Sequence, residues 1–414
     1  AQYSVFTGRG FQLFSGQPLR LMTERQMATT DNFFRPVDYG DARVRLEPVD
    51  SMVARLAATE EGNRIRWFAG EGFRRQPRYV FGPIAGFPGI RLPQPVSTPE
   101  TGEWELCPLD PAFRVMQGCD LPQKLTFDKL AFRTGWKEEA HYLLIEGVGN
   151  ENVSHAHLEN NGILRLNHLG RHWIVSNGFG KMTGVTNAIK AFSGRARGPE
   201  DHNVLVIRRK GDIVRHMPCC NALLRCGQRG PVLYCTGCLY DYGGVNWFRT
   251  VVILADAYVA VTDHVEVMVP GIEEAFVEWN CLGSVSPLEN GFRLEQQEVW
   301  MDVTSCSRWE TEQTVADRSE SWRRVLQSKA YPYAAFPLTK LVFRMPAAEA
   351  GQTYRLTTLL AATRGKSLFR LSEPEDGPIV IEGPHGFAEA EQVSDNGLVI
   401  NVKSDRCAVG FDAE

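Results

Sequence analysis

The sequence predicts a mainly β protein, a large antiparallel β-sandwich (a supersandwich) preceded by a short helical N-terminal segment. Two observations carry that expectation. From Lys129 onward, short runs rich in β-branched and aromatic residues alternate with turns of Gly, Asn, Asp and Pro. No long amphipathic helix interrupts them, as it would in a parallel sheet built from βαβ units. Composition agrees: 43% of the 414 residues are hydrophobic and 23% charged, ordinary for a folded globular chain and wrong for a disordered one. The formal net charge of −4 argues against a general nucleic-acid binder, which is usually basic. No apolar run approaches the ~20 residues that a membrane-spanning helix needs.

The elements follow in order. Residues 19–27 form a weak helix candidate. A stronger one spans 48–62, with apolar Val49, Met52, Val53, Leu56 and Ala57 at helical spacing, Asp50 or Ser51 as cap and Gly62-Asn63 as stop. Residues 76–125 carry many prolines and little periodicity, and read as an ordered linker over a surface. Strands are expected at 130–133, 141–146, 162–166, 172–175, 204–208, 232–240, 247–254, 258–261, 275–279, 299–303, 338–343, 354–359, 379–382 and 398–402. The expected division is 1–120, helical remnant and linker, and 121–414, sandwich. That many strands exceeds one plain sandwich, so stacked or oversized sheets are expected. The chain opens at Ala1 with no charged and apolar leader after it, and reads as a processed product or a fragment.

Five of the ten cysteines lie between 219 and 238, including Cys235-Thr-Gly-Cys238. Three readings stay open: structural thiols alternating across a strand, a disulfide, or a zinc site. The spacing suits zinc poorly, because a four-ligand site usually draws on two such pairs.

The chemistry concentrates in 132–178. His155 and His157 stand two apart in Ser154-His-Ala-His-Leu-Glu159. On a regular strand they would share a face; a bend would send one to a cleft and the other inward. Imidazole suits both a proton-transfer and a ligand role. A basic run follows, with Lys181, Lys190, Arg195, Arg197, Arg208, Arg209, Lys210 and Arg215, as a solvated rim or a path for an anionic polymer.

Six pieces in order resemble the entry to the C-terminal sandwich of the heparinase II/III-like polysaccharide lyases. They are the arginine strand at 130–136, Tyr142 to Gly147, His155-Ala-His157-Leu-Glu159, the strand pair from Gly162 to Gly178, Asp201-His202-Asn203, and the pair Trp247-Phe-Arg249 and Tyr258-Val-Ala-Val-Thr-Asp263. The likeness spans about 130–265. It implies β-elimination on a uronic-acid polysaccharide such as a glycosaminoglycan or alginate, with His155 at the catalytic cleft. It implies a divalent metal, zinc foremost, held by His157 and His202. The family's metal-binding aspartate corresponds to Ser176, and the Asp of His-x-His-x-Asp to Glu159. Glu159, Lys181 and Trp136 are the expected substrate contacts. Family members carry a long (α/α) toroid before the sandwich, supplying a catalytic tyrosine; here Phe34 to Asp41 resembles its last turns, and neither Tyr3 nor Tyr39 matches that tyrosine. The resemblance therefore implies the toroid portion of the same protein as partner, an anionic polysaccharide as substrate, and a secreted or periplasmic location. A non-catalytic carbohydrate-binding sandwich and a uronate epimerase are the rival readings.

Overall fold

The computed structural model describes residues 17–37, 63–75, 97–149, 158–176, 198–307, 312–317, 337–345, 349–365, 369–372, 379–383, 387–393, 397–404 and 407–409. Its helices are α1 (Gln17–Ala28), α2 (Asn63–Arg75) and α3 (Pro111–Met116). Strands β1–β7 are Trp104–Pro108, Phe127–Arg133, Tyr142–Glu146, Ile163–His168, Arg171–Val175, Leu205–Arg209 and Asp212–Ile213. Strands β8–β12 are Ala222–Arg229, Val232–Tyr242, Val245–Leu254, Tyr258–Val267 and Ile272–Leu282. Strands β13–β18 are Ser284–Leu288, Gly291–Gln296, Val299–Ser307, Glu312–Asp317, Leu338–Met345 and Thr353–Thr363. Strands β19–β23 are Arg370–Ser372, Ile379–Glu382, Phe387–Val393, Gly397–Ser404 and Cys407–Val409.

The first sheet runs β1-β2-β3-β4-β5-β12-β17-β16, with β6 and β7 branching from β12; the second runs β13-β14-β15-β18-β11-β10-β9-β8; the third runs β19 to β23. Every pairing among them is antiparallel. Side-chain alternation explains the layering. On β2, Leu130 and Phe132 face the second sheet, while Ala131 joins Ala28, Val37, Tyr142 and Leu144 under the helical segment. On β10, Trp247 and Val251 enter the same inter-sheet core, whereas Val252 packs with Tyr258 and Ile381 between the second and third sheets. Helices, sheet, sheet and small sheet thus stack in turn, each burying one face of the next.

Each run expected as a strand overlaps one here. Those missed include edge strands β1 and β13, which have one hydrogen-bonded neighbour and hardly any fully buried side chains, so little alternation marks them. β1 also corrects the expected linker: Trp104–Pro108 pairs with β2 and belongs to the first sheet, on the wrong side of the boundary at 120. The helix candidate at 19–27 is α1. The candidate at 48–62 lies outside the described residues, and α2 starts where it was expected to stop, burying Ile65, Phe68 and Ala69.

A buried ion pair faces the inter-sheet core. Arg249 on β10 donates through Nε and Nη2 to the two oxygens of Asp263 on β11, at 2.7 and 3.1 Å. Trp247 Nε1 donates to the same carboxylate at 2.7 Å. Arg249 Nη1 then reaches the opposite layer and donates to the carbonyls of Asn161 (3.1 Å) and Asn203 (2.7 Å). Its guanidinium also lies over the rings of Trp247 and Trp279. Removing one partner of such a pair costs about 3–5 kcal/mol, because the other charge is left buried.

Among the described residues, His141, His168 and His172 are buried and held uncharged. The rings of His141 and His168 lie 3.5 Å apart, and His141 Nδ1 accepts the Asp256 N–H. Burial depresses His141 to about 3. Burial, then the neighbouring His141, depresses His168 to about 2, with Arg364 adding to and Asp256 opposing the shift. Burial, then Arg165, holds His172 well below its usual value. An unfolded histidine titrates near ~6.5, so between about pH 6.5 and 3 the unfolded chain binds more protons. Stability is therefore fully present above about pH 6.5 and falls as the pH drops. His141 and His168 should each remove roughly 2 kcal/mol at pH 5. Denaturant unfolding at pH 7.5 and pH 5 tests this: His141→Asn, which keeps an acceptor for Asp256, should narrow the gap between the two, and an equal gap in both proteins contradicts the assignment.

Candidate functional site

The site residues sit on the turns that join β3 to β4 and follow β5. The turn before β4 is tight: Gly162 N–H donates to Glu159 O, and Asn161, at φ +61°, donates its N–H to Glu146 O. A Cβ at Gly162 would meet Glu159 O at 2.6 Å, so only glycine fits. This geometry sends the Glu159 side chain inward, to 2% exposure. Ser176, one residue past β5, donates its hydroxyl to Glu159 Oε2 at 3.0 Å. His202 follows the 3₁₀ turn Pro199–Asp201 and brings Nδ1 to 3.3 Å from the same oxygen.

Asn203 fixes that arrangement. Its Nδ2 donates to Ile163 O (2.7 Å) on β4 and Val175 O (3.0 Å) on β5, and its Oδ1 accepts the Asn280 N–H (2.6 Å) from β12. Arg249 binds the backbones of both Asn161 and Asn203, so one guanidinium holds the turn carrying Glu159 and the segment carrying His202. Carboxylate, imidazole and hydroxyl meet in a buried triad. A separation of 3.3 Å suits two ligands of one tetrahedral ion with bonds of about 2.0–2.2 Å. A histidine and a carboxylate are donors zinc accepts, so these residues fit the implied metal.

A second polar network docks the helical segment. Arg133 on β2 donates to the carbonyls of Met27 (2.9 Å), Ala28 (3.3 Å) and Thr30 (3.0 Å) at the α1 C-terminus, where the helix dipole favours a cation. Its Nε pairs with Glu105 on β1 at 2.8 Å. In the loop after α1, Asp31 Oδ1 accepts the N–H groups of Phe33 and Arg35. Asn167 Nδ2 donates to Asn32 Oδ1 at 2.8 Å and Asp31 Oδ2 at 3.2 Å. Burial raises the Asp31 carboxyl, against the pull of Arg165 at 3.8 Å. Asn32 Nδ2 donates to the carbonyls of Lys137, Glu138 and Ala140. The contacts of Arg133 with α1, and of Asn167 and Asn32 across the layers, were not legible in the sequence; they join residues more than a hundred positions apart.

The expected site residues divide accordingly. Glu159 and His202 are brought together, with Ser176. Glu159 is a correction: it is buried and supplies a carboxylate beside His202 instead of facing substrate. Trp136 is a second correction. It is 5% exposed, with the Arg133 guanidinium 3.8 Å from its ring and Phe34, Trp67 and Phe68 packed around it, so no face is left for a sugar. His155, His157 and Lys181 lie outside the described residues, as do Lys190, Arg195, Arg197, Tyr3 and Tyr39. Of the basic run, Arg208 pairs with Glu274 and Arg215 with Glu200. They line a groove of about 720 Å³ with Gly211, Asp212 and Ile213, and their charges are already matched there.

Solved structures of heparinases resemble this fold. A crystal structure of heparinase III superposes with a TM-score of 0.63 over 95% of this chain and 54% of that one, at 12% identity. A mutant of the heparan sulfate lyase HepC from Pedobacter heparinus gives 0.61 over 95% and 53%, at 13% identity. The fold is that of the heparinase III structures. The chain spans about half the length of those it matches. No protein-family model and no curated protein matches the sequence. Among the described residues no helix is long and apolar enough to cross a membrane.

The reassignment of Trp136 has a measurable consequence. Trp136→Ala should lower stability by about 3–5 kcal/mol, the usual cost of emptying a buried tryptophan site. Its affinity for a sulfated uronate polymer should equal that of the parent at a temperature where both are folded. A variant with parental stability and weakened polymer binding would restore the sugar-contact role.

Proposed function

We propose that this chain is the sandwich part of a polysaccharide lyase that cleaves a uronic-acid polymer by β-elimination. One observation carries the reading: the fold matches heparinase III and heparan sulfate lyase structures over nearly the whole length of this chain. His155 sits four residues before Glu159, whose position is fixed by the buried triad, and is the proposed cleft residue. Its role is to move or polarise the proton beside the uronate carboxylate. Removal of that proton places enolate-like charge on the carboxylate, and Lys181 is the proposed nearby cation. The glycosidic oxygen on the next carbon then leaves, giving a double bond conjugated with the carboxylate. The remaining groups, including a tyrosine, are proposed to come from a toroid portion of the same protein. Action on an extracellular polymer suits a secreted or periplasmic location.

In the complete protein, His155→Ala should reduce turnover about 10²–10⁴-fold, the size of a general acid–base contribution. Ultraviolet absorbance of the unsaturated product on heparan sulfate, chondroitin sulfate and alginate reads this out. Full activity in a folded His155→Ala protein removes the central residue. Polymer binding without new absorbance points to a non-catalytic sandwich, and solvent deuterium incorporation without cleavage to an epimerase.

We further propose that His157, His202 and Glu159 hold one zinc ion, Glu159 taking the place that the family pattern gives to position 176. Bound there, zinc would brace the sandwich edge; no elimination step passes through it. Metal analysis of the purified protein should find about one equivalent, lost in His202→Ala and Glu159→Ala together with several degrees of melting temperature. A parent protein that neither contains zinc nor gains stability on adding it counts against this site.

A further inference from the structure

Three thiols unused by the lyase reading converge where the turn after α3 meets the segment leading into β8. Cys119, Cys219 and Cys220 each place a sulfur within 4.8 Å of the other two. The Sγ atoms of Cys219 and Cys220 are 3.6 Å apart. All three are free thiols, Cys119 and Cys219 partly exposed and Cys220 buried.

The backbone of each arm is fixed. Cys119 N–H donates to Arg114 O, and the Arg114 guanidinium returns to the carbonyls of Cys119 and Leu121. On the other arm, Gly149 N–H donates to Cys219 O, Val148 bridges to Cys220, and Asn160 Nδ2 donates to Pro218 O at 2.5 Å. The set is held before any ligand arrives.

Contact between the sulfurs shifts their acidities in opposite directions. The neighbouring S–H of Cys220, and to a lesser degree that of Cys119, lowers the Cys219 thiol to about 7 against the opposing effect of burial. The same contact, with burial, raises Cys220. Three sulfurs this close form an array in which one cation can replace the thiol protons. Oxidation would use only two of the three sulfurs, and the adjacent pair Cys219–Cys220 would have to bend away from relaxed disulfide geometry.

We propose that Cys119, Cys219 and Cys220 bind a single soft, closed-shell cation, Cu(I), as a three-thiolate site. Thiolates select such ions over hard ones. No fourth His, Cys, Asp or Glu among the described residues joins the set, which suits three-coordinate copper better than the four ligands of structural zinc. Binding forms three Cu–S bonds and releases the thiol protons to solvent; copper stays Cu(I), so no electron moves.

Anaerobic titration of the reduced full chain with Cu(I), against a chromophoric Cu(I) chelator, tests this. The chain should withhold one equivalent, and X-ray absorption should show sulfur-only coordination. Cys119→Ser and Cys219→Ser should each weaken binding by more than the roughly 10–100-fold that loss of an outer-shell partner costs. Cys226→Ser, whose thiol is exposed and outside the set, should bind as the parent does. Melting curves check folding, and Cys220→Ala is the second probe should a serine variant fail to fold. Undiminished copper uptake by the folded Cys119→Ser/Cys219→Ser protein overturns the proposal. So does preferential uptake of zinc at these thiols, or a Cys119–Cys219 disulfide in protein isolated without reductant.

Discussion

The guanidinium of Arg249 ties the sandwich together. A charge buried at 1% exposure must be matched, and Asp263 on the neighbouring strand matches it bidentately. That leaves Nη1 to reach across the core to Asn161 and Asn203 in the first sheet. Apolar packing between sheets tolerates small sliding; directed hydrogen bonds to two carbonyls do not. The turns carrying Glu159 and His202 are therefore set by a residue on the opposite layer. Trp247 and Trp279 cover the pair and keep water from weakening it.

The same rule operates on the outer face of the first sheet. Arg133 is fully buried, and its donors go to Glu105 and to the last carbonyls of α1. Those carbonyls have no partner inside their own helix. Arg133 satisfies both requirements at once and leaves its flat face against Trp136. The helical segment is seated by polar groups that each need that neighbour, with the aromatic cluster of Phe34, Trp67, Phe68 and Trp136 filling the remaining space. A tryptophan so used has no ring face for substrate.

The buried triad differs from the arrangement that the motif resemblance led one to expect. Serine stands at the position of the expected aspartate, and a longer acid, Glu159, enters from the turn before β4 to meet His202. Ser176 then donates a hydrogen bond to that carboxylate.

Strand order along the chain was legible because alternation and turn chemistry are local: the runs at 130–133 and 247–254 are marked by their own residues. The resemblance from Phe132 to Asp263 pointed to the sandwich, which the superposition on heparinase III bears out. Edge strand β1 was hidden, since a strand with one neighbour and hardly any fully buried side chains carries little alternation. Cys235 and Cys238 are structural thiols that alternate across β9, as one reading of their spacing expected: Cys235 enters the inter-sheet core and Cys238 packs with Ala222 and Phe248 on the opposite face. The thiol that does converge on Cys219 and Cys220 is Cys119, a hundred residues earlier. Glu159 and Trp136 were placed at the surface by motif position, although both are buried. By itself the sequence determined the β architecture, the order of its strands and the residue types available for chemistry. Only the tertiary structure decided which of them meet, because burial and hydrogen-bond partnership depend on what the opposite sheet and the docked helices bring into contact.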